Sequence, residues 1–214
     1  MCSRIFVAPG NPLKLLLAQF GLDGVGLREI NNLAPTEAAP VVYRHGSGFN
    51  ISPMRWWLHP SWSPEPPNQK FAMFNARIET VLTSRAFQGP VRHRRAIIPV
   101  SGFVEFKAQG KQKQPFYVQA VSGETLAVAA MWECWQNQVW STAMITQAAS
   151  ESFAEVHDRM PLSLNAEQVA RWMNPEEDVK SLLQELRGQS AELHWRPVDP
   201  RVNNARNKEG VVFL

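Results

Sequence analysis

Only two cysteines, Cys2 and Cys134, occur in the 214 residues. That is too few for a disulfide framework, and they show no metal-ligand spacing. No apolar run approaches the roughly 20 residues a membrane helix needs. The Met-Cys-Ser-Arg opening has no long apolar segment behind it of the kind that marks a secretory signal. The histidines His45, His59, His93, His157 and His194 are not spaced as ligands, so no metal is expected. No glycine-rich phosphate loop of the Walker or dinucleotide type is present, so no nucleotide cofactor is expected. Charge is modest, with 19% charged residues and a net charge of +3. These absences point to a cytoplasmic chain that needs no membrane and no bound cofactor.

What is present supports one compact core. Hydrophobic residues make up 44% of the chain, and its length suits a single domain over 1–214. Asn11, Pro12 and Gly21 bracket an apolar run and predict a short helix over 13–20, with Asn11 as its cap. Strands are expected over 41–58, interrupted by Gly46-Ser47-Gly48. Four prolines between His59 and Asn68 forbid regular structure there. Further strands are expected over 96–106, 115–121, 126–135, 139–146 and 193–198. Asn165 and Gln168 resemble a capping box for a helix over 166–173, and Pro175 is expected to open another over 176–186. Short strands clustered centrally and flanked by helices argue for α+β, with an antiparallel sheet that closes on itself.

Several residues are candidates for chemistry. After removal of Met1, Cys2 carries an α-amine and a thiol on adjacent carbons. In peptides these titrate at about 7.7–8.0 and 8.5. An aldehyde meeting that pair forms an imine with the amine, and the thiol then closes a five-membered thiazolidine. Asn75-Ala76-Arg77 offers a neutral donor and acceptor beside a forked cation suited to phosphate; equally, it reads as a turn and a surface charge. Glu105 sits in Gly102-Phe103-Val104-Glu105-Phe106, where alternation puts it on the face of Phe103. It is then either desolvated, with a raised pKa suited to acid–base work, or turned to water on an edge. His157-Asp158-Arg159 joins a titratable imidazole to an acid and a guanidinium, or is a turn stapled by an Asp–Arg pair. Arginines recur at Arg77, Arg85, Arg92, Arg94 and Arg95, and again at Arg196, Arg201 and Arg206; such clusters suit nucleic acid and also an ordinary solvated face.

In order, these segments resemble the SOS-response-associated peptidase (SRAP) family, whose members shield abasic sites in single-stranded DNA. The matching pieces are Met1-Cys2-Ser3-Arg4, Asn32-Leu33-Ala34-Pro35, Met54-Arg55-Trp56, Pro60-Ser61-Trp62, Asn75-Ala76-Arg77, Gly102 to Phe106, His157 to Pro161 and Val202-Asn203-Asn204. The resemblance implies a mixed sheet closing into a barrel with peripheral helices, and action on the nucleoid at damaged DNA; nothing in the sequence demands more than a monomer. It implies Cys2 as the crosslinking residue and Asn75 as the group that orients the opened sugar and the N-terminal amine. Glu105 becomes the general acid–base, and His157 the proton donor for deoxyribose ring opening. It further implies Arg4, Arg77 and Arg159 on phosphates, Arg85 as another phosphate contact, and Pro35 and Trp62 wedged or stacked beside the lesion. Ser3, Trp57 and Phe106 stand where the family more often has Gly, Gly and Trp. A cysteine autopeptidase and a non-covalent reader of modified DNA are the alternative activities.

Overall fold

The computed structural model describes residues 2–24, 26–110 and 112–214. In chain order its elements are β1 (Ile5–Val7), α1 (Asn11–Ala18), β2 (Ile30–Leu33), β3 (Ala38–His45), β4 (Gly48–Arg55), β5 (Asn75–Arg77), α2 (Gln88–His93), β6 (Arg95–Val100), β7 (Gly102–Gln109) and β8 (Gln112–Ala120). They continue as β9 (Leu126–Trp135), β10 (Val139–Ala148), β11 (Arg159–Pro161), β12 (Ser163–Leu164), α3 (Ala166–Trp172), α4 (Val179–Leu186) and β13 (Leu193–Pro197). The class is α+β, as expected.

Two sheets carry the fold. One runs β13-β8-β7-β1-β2, and the other runs β11-β10-β4-β3-β6-β9-β12. A further β9–β10 pairing joins the ends of the stretch β10-β4-β3-β6-β9, so those strands form a closed ring. The second sheet is mixed, because β4 and β5 both pair with β10 in parallel. Alternation along its strands sends side chains to two separate cores. Ile97, Ala129, Met131, Ala143 and Ile145 pack with the helices. Their neighbours Ala96, Ile98, Ala130 and Met144 face the first sheet together with Cys2, Ile5, Trp56 and Phe103. Cys2 therefore lies in the core between the sheets.

The structure corrects four local expectations. The strand expected over 96–106 is two strands in different sheets, with Ser101 between them. At Gly102 a Cβ would lie 2.2 Å from the Tyr117 ring, so only glycine allows β7 to pass beneath that ring. Helix α1 is capped by Gly10 without a side-chain hydrogen bond, and Asn11 is already helical. Helix α4 begins at Val179 and not at 176, because the Asp178 carboxylate accepts from the Ser181 N–H at 3.0 Å and caps it there. The strand expected over 41–58 ends at Arg55, where Trp57 N–H donates back to the Arg55 carbonyl at 2.8 Å. The capping box of α3 forms as expected, with Asn165 and Gln168 each accepting from the other's N–H at 2.9 Å.

Arg95 joins the ring to the helices. Its buried guanidinium donates to the carbonyls of Trp172 at 2.6 Å, Arg92 at 3.0 Å and Asn174. One cation thus satisfies orphan carbonyls at the ends of α2 and α3, where the helix dipoles favour positive charge. Replacing Arg95 by Met is expected to lower unfolding free energy by about 2–4 kcal/mol, since several buried carbonyls lose a charged donor. Urea denaturation checks this; an unchanged midpoint would mean that the carbonyls are satisfied without it.

Candidate active site

Strand β1 brings the N-terminus to the middle of the first sheet. Ile5 pairs with Phe103 and Phe6 with Gly102. The Val104 N–H donates to the Arg4 carbonyl at 3.0 Å. The strand begins at Ile5, so residues 2–4 leave the ladder beyond Val104, and the Cys2 thiol comes close enough to Glu105 to feel its charge. Met1 and its expected removal lie outside the described residues.

Asn75 opens β5 and is held by parallel pairing with Met144. Its Nδ2 donates to the Cys2 carbonyl at 2.7 Å. This contact fixes the backbone of residue 2 and assigns the amide orientation. Asn75 Oδ1 is buried and has no hydrogen-bond partner among the described residues. A buried acceptor left without a partner costs about 1–3 kcal/mol, so this atom is available to an incoming N–H or O–H donor.

Glu105 is 1% exposed. Val104 and Phe106 face the small core with Phe6 and Val198, while Phe103 and Glu105 turn to the other side. The predicted alternation therefore holds, and so does desolvation: burial pushes the Glu105 carboxyl up from 4.5 to about 7. The Cys2 thiol is raised well above its ordinary value, first by burial and then by the charge of Glu105.

His157 completes the group, with Nε2 lying 3.9 Å from Glu105 Oε2. Its Nδ1 accepts from the Arg159 N–H at 2.9 Å, which assigns the proton of the neutral ring to Nε2. Asp158 Oδ1, 3.0 Å from the same Nδ1, favours a charged ring instead. Burial outweighs it and lowers the His157 pKa. At neutral pH the site thus combines a protonated thiol, a neutral imidazole and a carboxyl group near its midpoint. Cys2, Asn75, Glu105 and His157 thus lie together in the fold.

The candidate DNA contacts are placed less uniformly. Arg77 is exposed at the end of β5, on the same face as Asn75 by alternation. Arg4 donates to the carbonyls of Ser3 at 2.7 Å and Asn203 at 3.2 Å. Arg159 grips Glu79 through both terminal nitrogens, at 2.7 and 3.0 Å, and also donates to the Thr146 carbonyl at 2.8 Å. Arg4 and Arg159 each retain a buried Nε–H without a partner among the described residues. Pro35 sits half-buried in a tight loop where Asn32 and Thr36 take φ of 49° and 82°; such values are uncommon for non-glycine residues. Trp62 is half in solvent, with the Arg85 guanidinium 4.3 Å above its ring.

By sequence, Asn32 carries no role beyond its place in a matching segment, and Glu79, two residues after Asn75-Ala76-Arg77, carries none at all. Asn32 Nδ2 donates to the carbonyls of Val202, Asn204 and Asn207 at 2.9–3.1 Å and holds the C-terminal segment against Arg4. The signal for both was their company, a carboxylate two residues after Arg77 and an amide beside an apolar segment. Trp57 packs on Phe74, the residue before Asn75, at 5.2 Å between ring centres.

Comparison with known proteins gives a consistent result. The family described as "SOS response associated peptidase (SRAP)" matches residues 1–205. The abasic site processing protein YedK of Escherichia coli is 29% identical over 184 residues, covering 83% of this chain and 80% of its own. YoqW of Bacillus subtilis, likewise named an abasic site processing protein, is 31% identical over 160 residues, covering 72% and 71%. The rat abasic site processing protein HMCES is 27% identical over 218 residues, covering 82% of this chain and 62% of its own. Among solved structures, a Bordetella bronchiseptica protein superposes with a TM-score of 0.75 at 19% identity, covering 92% of this chain and all of that one. A Bacteroides thetaiotaomicron protein gives 0.73 at 18%, covering 93% and 90%. These two structural likenesses speak for the fold alone.

Proposed function

Since this chain belongs to the SOS response associated peptidase (SRAP) family, we propose that it acts on abasic sites in single-stranded DNA and captures them covalently through Cys2 after Met1 is removed. The carrying observation is the clamp on residue 2. Asn75 holds its carbonyl at 2.7 Å, beside a buried carboxyl poised at about 7.

The reaction follows from those groups. The ring-closed abasic deoxyribose must open to its aldehyde; in this reading the protonated minority of His157 gives its Nε2 proton to the ring oxygen as the C1–O bond breaks and takes up the C1 hydroxyl proton in return. The Cys2 amine adds to the aldehyde carbon. Glu105, protonated in about half the molecules near pH 7, gives a proton to the departing hydroxyl, which leaves as water. The resulting carboxylate then takes the thiol proton as sulfur adds to the imine carbon, and the imine nitrogen becomes a secondary amine. The sum is one aldehyde plus one aminothiol giving one thiazolidine and one water. Asn75 Oδ1 is the acceptor for the amine N–H or a sugar hydroxyl during these steps. Single strands are favoured because in a duplex the aldehyde must first be exposed, at a cost of a few kcal/mol.

The state of the thiol weighs against a cysteine peptidase. Reactive cysteines have their thiolates favoured by nearby cations, whereas burial and Glu105 both disfavour the thiolate of Cys2. Thiazolidine closure instead lets the amine act first.

The test is incubation of the processed chain with a single-stranded oligonucleotide carrying one abasic site, read on a denaturing gel. A heat-stable shifted band is expected, absent with an intact oligonucleotide and slower to form with abasic duplex. Its initial rate at limiting protein should fall several-fold between 50 and 200 mM salt, as phosphate contacts are screened. No band, although mass confirms a free Cys2 amine, would refute the proposal.

A further inference from the structure

One ion pair beside the site takes no part in the covalent chemistry. Arg159, the first residue of β11, gives both terminal nitrogens to the Glu79 carboxylate, at 2.7 and 3.0 Å. A two-pronged contact of this kind is among the stronger ion pairs. It is also shielded, since the Arg159 side chain is 11% exposed and that of Glu79 36%. Arg159 holds the Glu79 carboxyl below its ordinary value, so the pair is charged at neutral pH. The pair reaches across a strand. β10 is flanked by β5 and β11, with Thr146 paired to Arg77 of the one and Pro161 of the other. The Thr146 carbonyl accepts from the Ile78 N–H and from Arg159 Nη2, both at 2.8 Å. Glu79 therefore ties the end of the strand that opens with Asn75 to the start of the strand that follows His157.

Two groups compete for His157 Nδ1. The Arg159 N–H, 2.9 Å away, needs a bare nitrogen there, whereas the Asp158 carboxylate, 3.0 Å away, needs a protonated one. We propose that Glu79 is a positioning residue for His157: its grip on the Arg159 side chain keeps the Arg159 N–H against Nδ1, so that the resting ring carries its proton on Nε2 and points it at the site. The inference rests on the part given to His157 in the DNA reading, and it adds a residue that touches neither DNA nor the reacting atoms. The balance between the two competitors favours it. The Asp158 side chain is 87% exposed, so water screens its pull. The Arg159 backbone is held twice, by pairing with Ala148 and by the bond of its own side chain to Glu79. On its other side the ring faces Glu105, 3.9 Å from Nε2.

The proposal gives Glu79 opposite effects on rate and affinity. A carboxylate close to arginines that would hold phosphates repels the DNA backbone, so Glu79 weakens binding while it serves the chemistry. A residue that merely presented Arg159 to a phosphate would strengthen binding instead. With both terminal nitrogens of Arg159 committed to Glu79, the exposed Arg77 is left as the better phosphate contact of the two.

The experiment compares the native, Met1-processed chain with Glu79→Gln, which keeps the length of the side chain without its charge, and with Glu79→Ala. Thermal melts first confirm that each variant is folded at the assay temperature. Nitrogen-15 NMR of the His157 ring without DNA, at a pH where the ring is neutral, then reads which nitrogen carries the proton. The native ring should be bare at Nδ1 and protonated at Nε2, and both variants should show protonation at Nδ1, Glu79→Ala the more. Binding is measured on a single strand with tetrahydrofuran in place of the abasic sugar, which holds no aldehyde, and should be as tight as native or a few-fold tighter. Capture of abasic DNA at saturating protein should slow by about 10-fold, a part of the 10²–10⁴-fold that a placed acid–base group contributes. The native tautomer persisting in both variants overturns the proposal. So does weaker binding with an unchanged rate at saturation, which would make Glu79 a support for a phosphate contact. If the native chain captures no abasic DNA, the DNA reading falls, and the tautomer still decides whether Glu79 positions His157.

Discussion

Replacing Cys2 by alanine is expected to remove the heat-stable adduct with abasic DNA, by at least about 100-fold on a denaturing gel. The α-amine of the processed variant survives, so a weaker product should still be trapped when borohydride is added. The complementary change keeps the thiol and hides the amine, by leaving a residue in front of Cys2. That chain should form no heat-stable adduct without borohydride, because its free amine and its thiol no longer share one residue. Amine and thiol are thus separated by two variants at one position. Loss of Cys2 also empties a site that is 1% exposed, at a cost of about 1–2 kcal/mol, so a thermal melt must accompany the gel. A heat-stable adduct that survives Cys2→Ala would place the nucleophile elsewhere.

Glu105→Gln carries the second large effect, and it acts on two quantities in opposite directions. Adduct formation should slow by about 10²–10³-fold, within the usual range for loss of a general acid–base. The pH dependence of the native rate should show an inflection near 7, the value to which burial raises Glu105, and the variant should lack it. Stability should move the other way. The folded pKa lies above the ordinary value of 4.5, so the native state holds an extra proton between about 4.5 and 7. Glu105 therefore contributes stability that is fully present below about 4.5 and is lost as pH rises through about 7. Above that range the native protein must bury an anion, at a cost on the order of 3 kcal/mol. Denaturant titrations at pH 5 and pH 8.5 should show the variant gaining on the native chain at the higher pH. Equal gains at both values would mean that Glu105 is not the titrating group.

Much of this site was legible in sequence because its chemistry is local. The aminothiol of Cys2 needs only position 2. The desolvation of Glu105 was foreshadowed by its place between Phe103 and Phe106, since alternation holds in any strand of that length. The strands expected over 126–135 and 139–146 were visible for the same reason, the second running on to Ala148 in the structure. Strands of three residues were not. Asn75–Arg77 has no period of its own and is a strand only because Met144 to Thr146 lie alongside it. The break at Ser101 was hidden because both flanking segments are strand-like, and only the approach of Tyr117 to Gly102 separates them. Arg159 could be read as a cation but not as the partner of Glu79, which lies 80 positions away. No local pattern encodes such a pairing, and it makes Arg159 a strut beside His157 as much as a phosphate contact.

The central claim is that carbon, nitrogen and sulfur close into a ring at Cys2, and mass spectrometry of the purified adduct tests it most directly. An imine and a thiazolidine have the same mass, the sum of protein and oligonucleotide less one water. Borohydride added after the adduct has formed tells them apart. A thiazolidine resists reduction, so the account predicts an unchanged mass and an adduct that still survives heating. A gain of two hydrogens would show a simple imine, and would contradict a role for the Cys2 thiol in the bond to DNA.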